Sequence, residues 1–302
     1  METVETKKKN LGPMYLIFAA VLWSTAGVLT KFIPWSAMTV ACIRGLVAAM
    51  VQILYTRTFR IKITKPVLLT ACCYLGETLL FTFANKMTSA GSAIVLQNTS
   101  PLYIILMSLI VLKQKPSKLD CCVGVVIFSG ILLSMVDTFR GGELPGSNPM
   151  LGNLLALLSG VFYAGIFFTS RLPGANSIHS TILGNAMYVV LLPTLLFDEA
   201  LMHPAANSVP VWQSWAAMLF MGACQLGLSW ICFSKGIKTT PALQASFITM
   251  VEPVLNPILA LLLLGEAMGT LSIIGSVLVV ATITVHSILS AKQEEKALSE
   301  GK

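Results

Sequence analysis

The chain alternates long apolar runs with short connections rich in polar and turn-forming residues. Ten such runs fall at 13–33, 36–56, 66–85, 90–112, 119–138, 149–171, 177–201, 212–234, 241–264 and 267–289. A helix needs about 20 mainly apolar residues to cross a hydrocarbon core about 30 Å thick. Every run reaches that length, so the pattern predicts ten membrane-spanning helices. Breakers separate them: Pro34, Pro66, Pro116, the stretch from Gly141 to Gly146, Pro210 and Pro241.

Composition supports the same picture. Of 302 residues, 55% are hydrophobic and 11% charged, against about 25% charged in soluble domains. So few charges cannot cover a soluble surface, which excludes an ordinary soluble domain, a disordered chain and a coiled coil. The net charge of +7 does not mark a nucleic-acid binder, because the basic residues sit in short loops between apolar runs. With the N-terminus placed inside, sixteen Lys and Arg lie in inside segments. Three (Lys31, Lys86 and Arg140) lie outside, and Arg44 lies within the second run. This bias supports an even number of spans with both termini cytoplasmic, in the cell membrane. No cleavable signal peptide is expected, since the first run is long enough to span. All seven cysteines lie inside apolar runs without metal-type spacing, and read as small packing residues.

The sequence repeats itself loosely at a shift of 152 residues. Residues 81–93 then lie over 233–245, Ser100-Pro101 over Glu252-Pro253, and Leu112 over Leu264. The chain thus reads as two five-helix units, 13–138 and 149–290, with a short cytoplasmic tail at 291–302. Five is odd, so the second unit must enter the membrane in the opposite sense. Such inverted repeats place substrate near the midplane between the halves.

Within this frame the chain resembles the EamA-like family of the drug/metabolite transporter superfamily. The resemblance rests on Leu22-Trp23-Ser24-Thr25-Ala26-Gly27, on Arg44-Gly45, on the stretch Ala245 to Val254 with Glu252-Pro253, and on Leu264-Gly265-Glu266 and Gly275. It implies an all-α fold of ten helices in two inverted repeats, and transport of a small polar metabolite, an amino acid or related compound. The acidic positions Glu252 and Glu266 have no counterpart in the first half, so any role they hold belongs to one half.

Three kinds of residue are candidates for the work of transport. Pro101, Pro253 and Pro257 lie within spans and free the carbonyls of Gln97, Thr249 and Pro253; each is either a broken helix or hinge at a cavity, or a static kink. Glu77, Arg44 and Glu252 are charges with no inexpensive place in hydrocarbon. Glu77 is the candidate proton carrier, with a structural pair to Arg44 as the alternative. Glu252 either faces a cavity or caps a half-helix. Arg44 holds internal groups or docks a substrate carboxylate. The polar and aromatic candidates for a substrate cavity are Trp23, Thr25, Gln97, Asn98, Tyr163, Asn185, Gln225, Trp230 and Gln244. For any single Trp, ordinary packing is the competing reading.

The expected function is a secondary transporter working by alternating access, as an exporter. Its partners are a small-molecule substrate, the lipid bilayer and, as a candidate coupling ion, protons. Nucleotide sugars and cationic drugs are alternative cargo classes. A channel is the second alternative, since channels usually need symmetric assembly or rings of charge, whereas a ten-span inverted repeat already encloses its own cavity. No nucleotide-binding loop is present. His179, His203 and His286 have no metal or triad spacing, so neither catalysis nor a metal or other cofactor is expected.

Overall fold

The structure is a computed structural model. It describes residues 11–57, 60–111, 113, 118–139, 147–170, 172–204, 207, 209–240, 248–249 and 251–300. Among these, all regular structure is helical. The helices are α1 (Gly12–Ser24), α2 (Ala26–Phe32), α3 (Ala37–Thr56), α4 (Lys65–Met87), α5 (Ala90–Gln97), α6 (Ser100–Val111) and α7 (Lys118–Phe139). They continue with α8 (Pro149–Thr169), α9 (Ser177–Ala186), α10 (Glu199–Met202), α11 (Val211–Phe220), α12 (Ser229–Thr239), α13 (Val251–Leu264) and α14 (Thr270–Glu300). A 3₁₀ segment, Met187–Phe197, extends α9, and a π-helical segment, Met221–Leu228, joins α11 to α12.

Seven helical stretches among the described residues are long and apolar enough to cross a membrane. They are Gly12–Phe32, Ala37–Thr56, Lys65–Met87, Ala90–Met107, Pro149–Thr169, Ser177–Phe197 and Val211–Gly236. Shorter apolar helices, Cys121–Leu133, Val251–Leu264 and Thr270–His286, fall in the fifth, ninth and tenth predicted runs. The chain is a multi-pass membrane protein.

Burial runs opposite to that of a soluble protein. Ile110, Leu262 and Leu54 are more than two-thirds exposed, while Gln52, Asn85, Asn153, Asn185 and Asn256 are fully buried. Facing lipid, an apolar side chain loses nothing by exposure, whereas an amide needs a partner inside the bundle. Cys72, Cys121 and Cys122 lie on the exposed face, and Cys42 and Cys232 are buried. The reading of all seven cysteines as packing residues therefore fails for those three.

Side-chain caps mark several helix starts. Ser36, Thr64, Ser89, Asn148 and Asn176 each accept a hydrogen bond from the backbone N–H three residues on. The fourth run, read as one span, is broken: α5 stops at Gln97 and α6 starts at Ser100. Pro101 therefore opens a new helix, where its missing N–H is harmless. The first run is also interrupted, at Thr25, whose hydroxyl donates to the Leu22 carbonyl at 2.7 Å. Helix α4 lies at the centre, packed mainly on α8 and α9, while α14 packs on α7 and α1 on α12.

Candidate functional site

Both helix breaks point at the same place. Trp23 and Ala26 flank the break at Thr25, Gln97 and Asn98 form the break after α5, and all four line one cavity of about 40 Å³. Arg44 from α3, Glu77, Thr78 and Phe81 from α4, Tyr163 from α8, Gln225 and Leu226 from the π-helical segment, Trp230 from α12 and Glu252 from α13 complete the wall. A π-helical turn carries one residue more than an α turn, and such turns recur at functional sites. Here one brings Gln225 to the wall.

Nine of the candidate residues therefore meet around one space: Trp23, Arg44, Glu77, Gln97, Asn98, Tyr163, Gln225, Trp230 and Glu252. Glu77 accepts a hydrogen bond from Gln97 Nε2 across twenty residues of sequence. Arg44 is almost fully buried; its Nη2 donates to the Thr78 carbonyl at 3.3 Å and to Thr82 Oγ1 at 3.0 Å. Arg44 and Glu77 thus share a cavity without forming the direct ion pair that was the structural alternative for them. Glu252 lies in the first turn of α13, where the helix dipole favours a negative charge.

Other candidates lie elsewhere. Asn185 is buried away from the cavity, donating to Gln52 Oε1 at 3.3 Å. Thr25 shapes the break beside the cavity without lining it. Pro253 is buried near the start of α13, and Pro257 lies inside that helix. Gln244 lies outside the described residues.

A cavity of this volume holds a few waters, far below the roughly 300–1,000 Å³ of ordinary ligand pockets. On one side it adjoins a vestibule of about 380 Å³, lined by Thr70, Tyr74, Phe167, Ser170, Asn176, Ser177, Thr181, Phe233 and Ser234 among others. Tyr163 and Trp230 face both spaces. They belong to an aromatic partition in which the Trp23, Trp230 and Phe233 rings meet pairwise at 5.2–5.7 Å. Tyr74 stands edge-on to Trp230 at 5.4 Å.

The opposite side is sealed by polar contacts. Lys31 at the end of α2 pairs with Glu266, one carboxylate oxygen each way: Oε1 takes Lys31 Nζ and Oε2 takes the Ala90 N–H at 3.1 Å. Gly265, at φ +68°, gives α13 a left-handed cap and turns Glu266 towards α2. Lys86 donates to the Ile33 carbonyl, and Asp198 accepts from the Ser36 N–H at 2.8 Å. Burial opposes ionisation of Asp198, yet hydrogen bonds from Thr39, Ser36 and Leu201 together hold its carboxyl below its ordinary range. Sequence reasoning counted Lys31 and Lys86 as outer loop charges and gave no role to Asp198. Only the fold reveals them as parts of one seal. Among the described residues no group of three or more His, Cys, Asp or Glu side chains is placed to hold a metal.

A lipid-facing bundle with a polar chamber inside it defines a multi-pass membrane protein. A model of the EamA-like transporter family matches residues 10–136 and again 150–288; the chain belongs to that family. It is similar to an uncharacterized transporter of Clostridium kluyveri (22% identical, covering 95% of this chain and 94% of that one). The uncharacterized transporter YwfM of Bacillus subtilis is 23% identical (95% and 97% covered). The uncharacterized inner membrane transporter YicL of Salmonella typhimurium is 22% identical (95% and 98% covered). A solved crystal structure, 17% identical, matches 92% of this chain and 97% of its own with a TM-score of 0.61. That likeness concerns the fold alone.

Proposed function

We propose that this protein is a secondary transporter of the cell membrane that exports a small polar metabolite, an amino acid or related compound, by alternating access. One observation carries the reading: a charged chamber too small for cargo lies between an open vestibule and a polar seal. That is the arrangement of a carrier closed on one side and awaiting expansion on the other. The ten apolar segments would be two inverted five-helix repeats, 13–138 and 149–290, with α13 and α14 as the last two crossings. The matching of the family model to each half supports this.

The vestibule opens beside the turn at 172–176, where Thr64 Oγ1 donates to the Gly174 carbonyl. The neighbouring loop carries Arg57, Arg60, Lys62 and Lys65, so the positive-inside bias puts this mouth in the cytoplasm. Cargo would load there and leave through the Lys31–Glu266 side. The naming of the relative YicL as an inner membrane transporter agrees with that location.

The test is efflux from liposomes preloaded with amino acids and other metabolites, with and without a pH gradient, read by mass spectrometry. Selective, saturable efflux is expected. Unsaturable conductance of many solutes would replace the carrier with a channel. A Glu77→Gln variant that abolishes dependence on the pH gradient while cargo still moves would identify Glu77 as the proton carrier.

A further inference from the structure

The chamber's polar inventory also says what charge its cargo carries. Resting on the transporter reading above, we propose that the cargo is a protonated amine of net positive charge, such as a basic amino acid, met by Glu252 and Gln225 between the rings of Trp23 and Trp230.

The charges come first. Two carboxylates, Glu77 and Glu252, share the cavity wall with one guanidinium, Arg44. Carboxyl groups outnumber the guanidinium two to one on this wall, so a cationic group can be met there by a carboxylate where an anionic one cannot. In a low-dielectric chamber an uncompensated charge is costly, so a cation is favoured over a zwitterion, and a zwitterion over an anion. Phosphate-bearing cargo such as a nucleotide sugar is disfavoured most.

Hydrogen-bonding capacity gives the second argument. Several donors on the wall are already engaged within the protein. Gln97 Nε2 is on Glu77, Asn98 Nδ2 on the Ile94 carbonyl, and Arg44 Nη2 on Thr78 and Thr82. Gln225, nearly fully buried on this wall, has an Oε1 with no partner. Helix α5 ends here too, and its C-terminal carbonyl end carries the negative pole of its dipole. An oxygen-rich wall calls for a cargo that donates. Among the fully buried side-chain donors of the described wall residues, Arg44 Nε has no partner, and it suits one acceptor group on a cargo that otherwise carries ammonium.

The rings give the third. Trp23 and Trp230, with centroids 5.3 Å apart, line the same space. Indole faces attract cations, guanidinium and ammonium alike.

The experiment uses lysine, leucine and glutamate, similar in size and differing in net charge. Each is tested singly as counterflow cargo in proteoliposomes of the full-length protein, and by calorimetric titration of the detergent-purified protein. The expected result is lysine exchange at least about tenfold faster than leucine, with no glutamate exchange. Glu252→Gln is expected to lower lysine affinity at least about tenfold and to narrow the gap to leucine. Leucine or glutamate moving as well as lysine would overturn the cation proposal and leave the transporter standing. Lysine binding that Glu252→Gln weakens, without exchange of any cargo, would keep the cation site and overturn the transporter. Neither binding nor exchange of any of the three would overturn the proposal.

Discussion

A single methyl group decides how closely two helices meet at Gly160. A Cβ there would lie 2.8 Å from the Gln97 carbonyl oxygen and 3.2 Å from the Tyr103 ring. Gln97 is the last residue of α5, and the break after it leaves its carbonyl without a helical partner. Gly160 lets α8 close over this broken end. Gly45 does the same for Tyr188, whose ring would lie 2.2 Å from an added Cβ and whose hydroxyl is 2.8 Å from Thr78 Oγ1. Gly160→Val is expected to destabilise by about 1–3 kcal/mol through overpacking, read as a lower thermal midpoint in detergent, and to slow transport by displacing Gln97 and Asn98. An unchanged midpoint would mean the two helices are free to separate. In the sequence, Gly160 and Ala164 form a small-xxx-small pair of the kind that permits close helix packing. The specific partner of Gly160 is not legible there, because the partner lies some sixty residues away and belongs to a helix break that hydropathy does not register.

At the scale of the element, what matters is where helices stop. Hydropathy smooths over interruptions, so the first and fourth runs read as continuous spans. Ser and Thr hydroxyls then make the breaks tolerable: Ser24 Oγ donates to the Ala20 carbonyl at 2.7 Å, and Thr99 Oγ1 to that of Leu96 at 2.6 Å. The prolines were legible as disruptors, yet Pro101 begins a helix and does not kink one. Short α10 is held by Asp198, which caps it through the Leu201 N–H and also ties down Ser36 before α3. Because the folded carboxyl titrates lower than a free aspartate, its contribution is complete above the ordinary value of about 3.9 and is lost as pH falls through the lowered value. A midpoint that declines on acidification from pH 5 to pH 2 is expected, with a shallower decline in Asp198→Asn. Identical slopes would assign the acid sensitivity to other carboxylates.

Across the whole molecule, the two sides of the chamber are closed by different chemistry. Aromatic rings part it from the vestibule; Lys31, Glu266 and the Ala90 N–H seal the far side. Rings can swing aside with little electrostatic cost, whereas separating a largely buried ion pair exposes two charges. On the transporter reading proposed above, the strength of this seal sets how often the far side opens. Met268 lies two residues after Glu266, partly buried against Gly91 near the start of α5, and Lys31→Glu is expected to raise the labelling rate of Met268→Cys by an impermeant maleimide about tenfold, in a background lacking the seven natural cysteines. Lys31→Glu combined with Glu266→Lys should restore the slow rate. Ser234→Cys, in the vestibule, should label from the other face of the membrane in every variant. Equal labelling of Met268→Cys with and without the pair would remove Lys31 and Glu266 from gating.

The sequence by itself determined that this chain lives in a membrane, that it is helical, and which polar and charged residues have no inexpensive place facing lipid. Lipid imposes those features locally: a helix must satisfy its own backbone, and a charge without a partner is too costly to be idle. So Glu77, Arg44, Glu252, Gln97 and the two tryptophans stood out from neighbours alone. Only the tertiary structure decided that they face one chamber, that Asn185 belongs to a separate contact with Gln52, and that Lys31 and Glu266, 235 residues apart, close the same door. Those outcomes depend on which helix faces touch, and the pairing of faces is set by glycine contacts and helix breaks that act together only once the chain is folded.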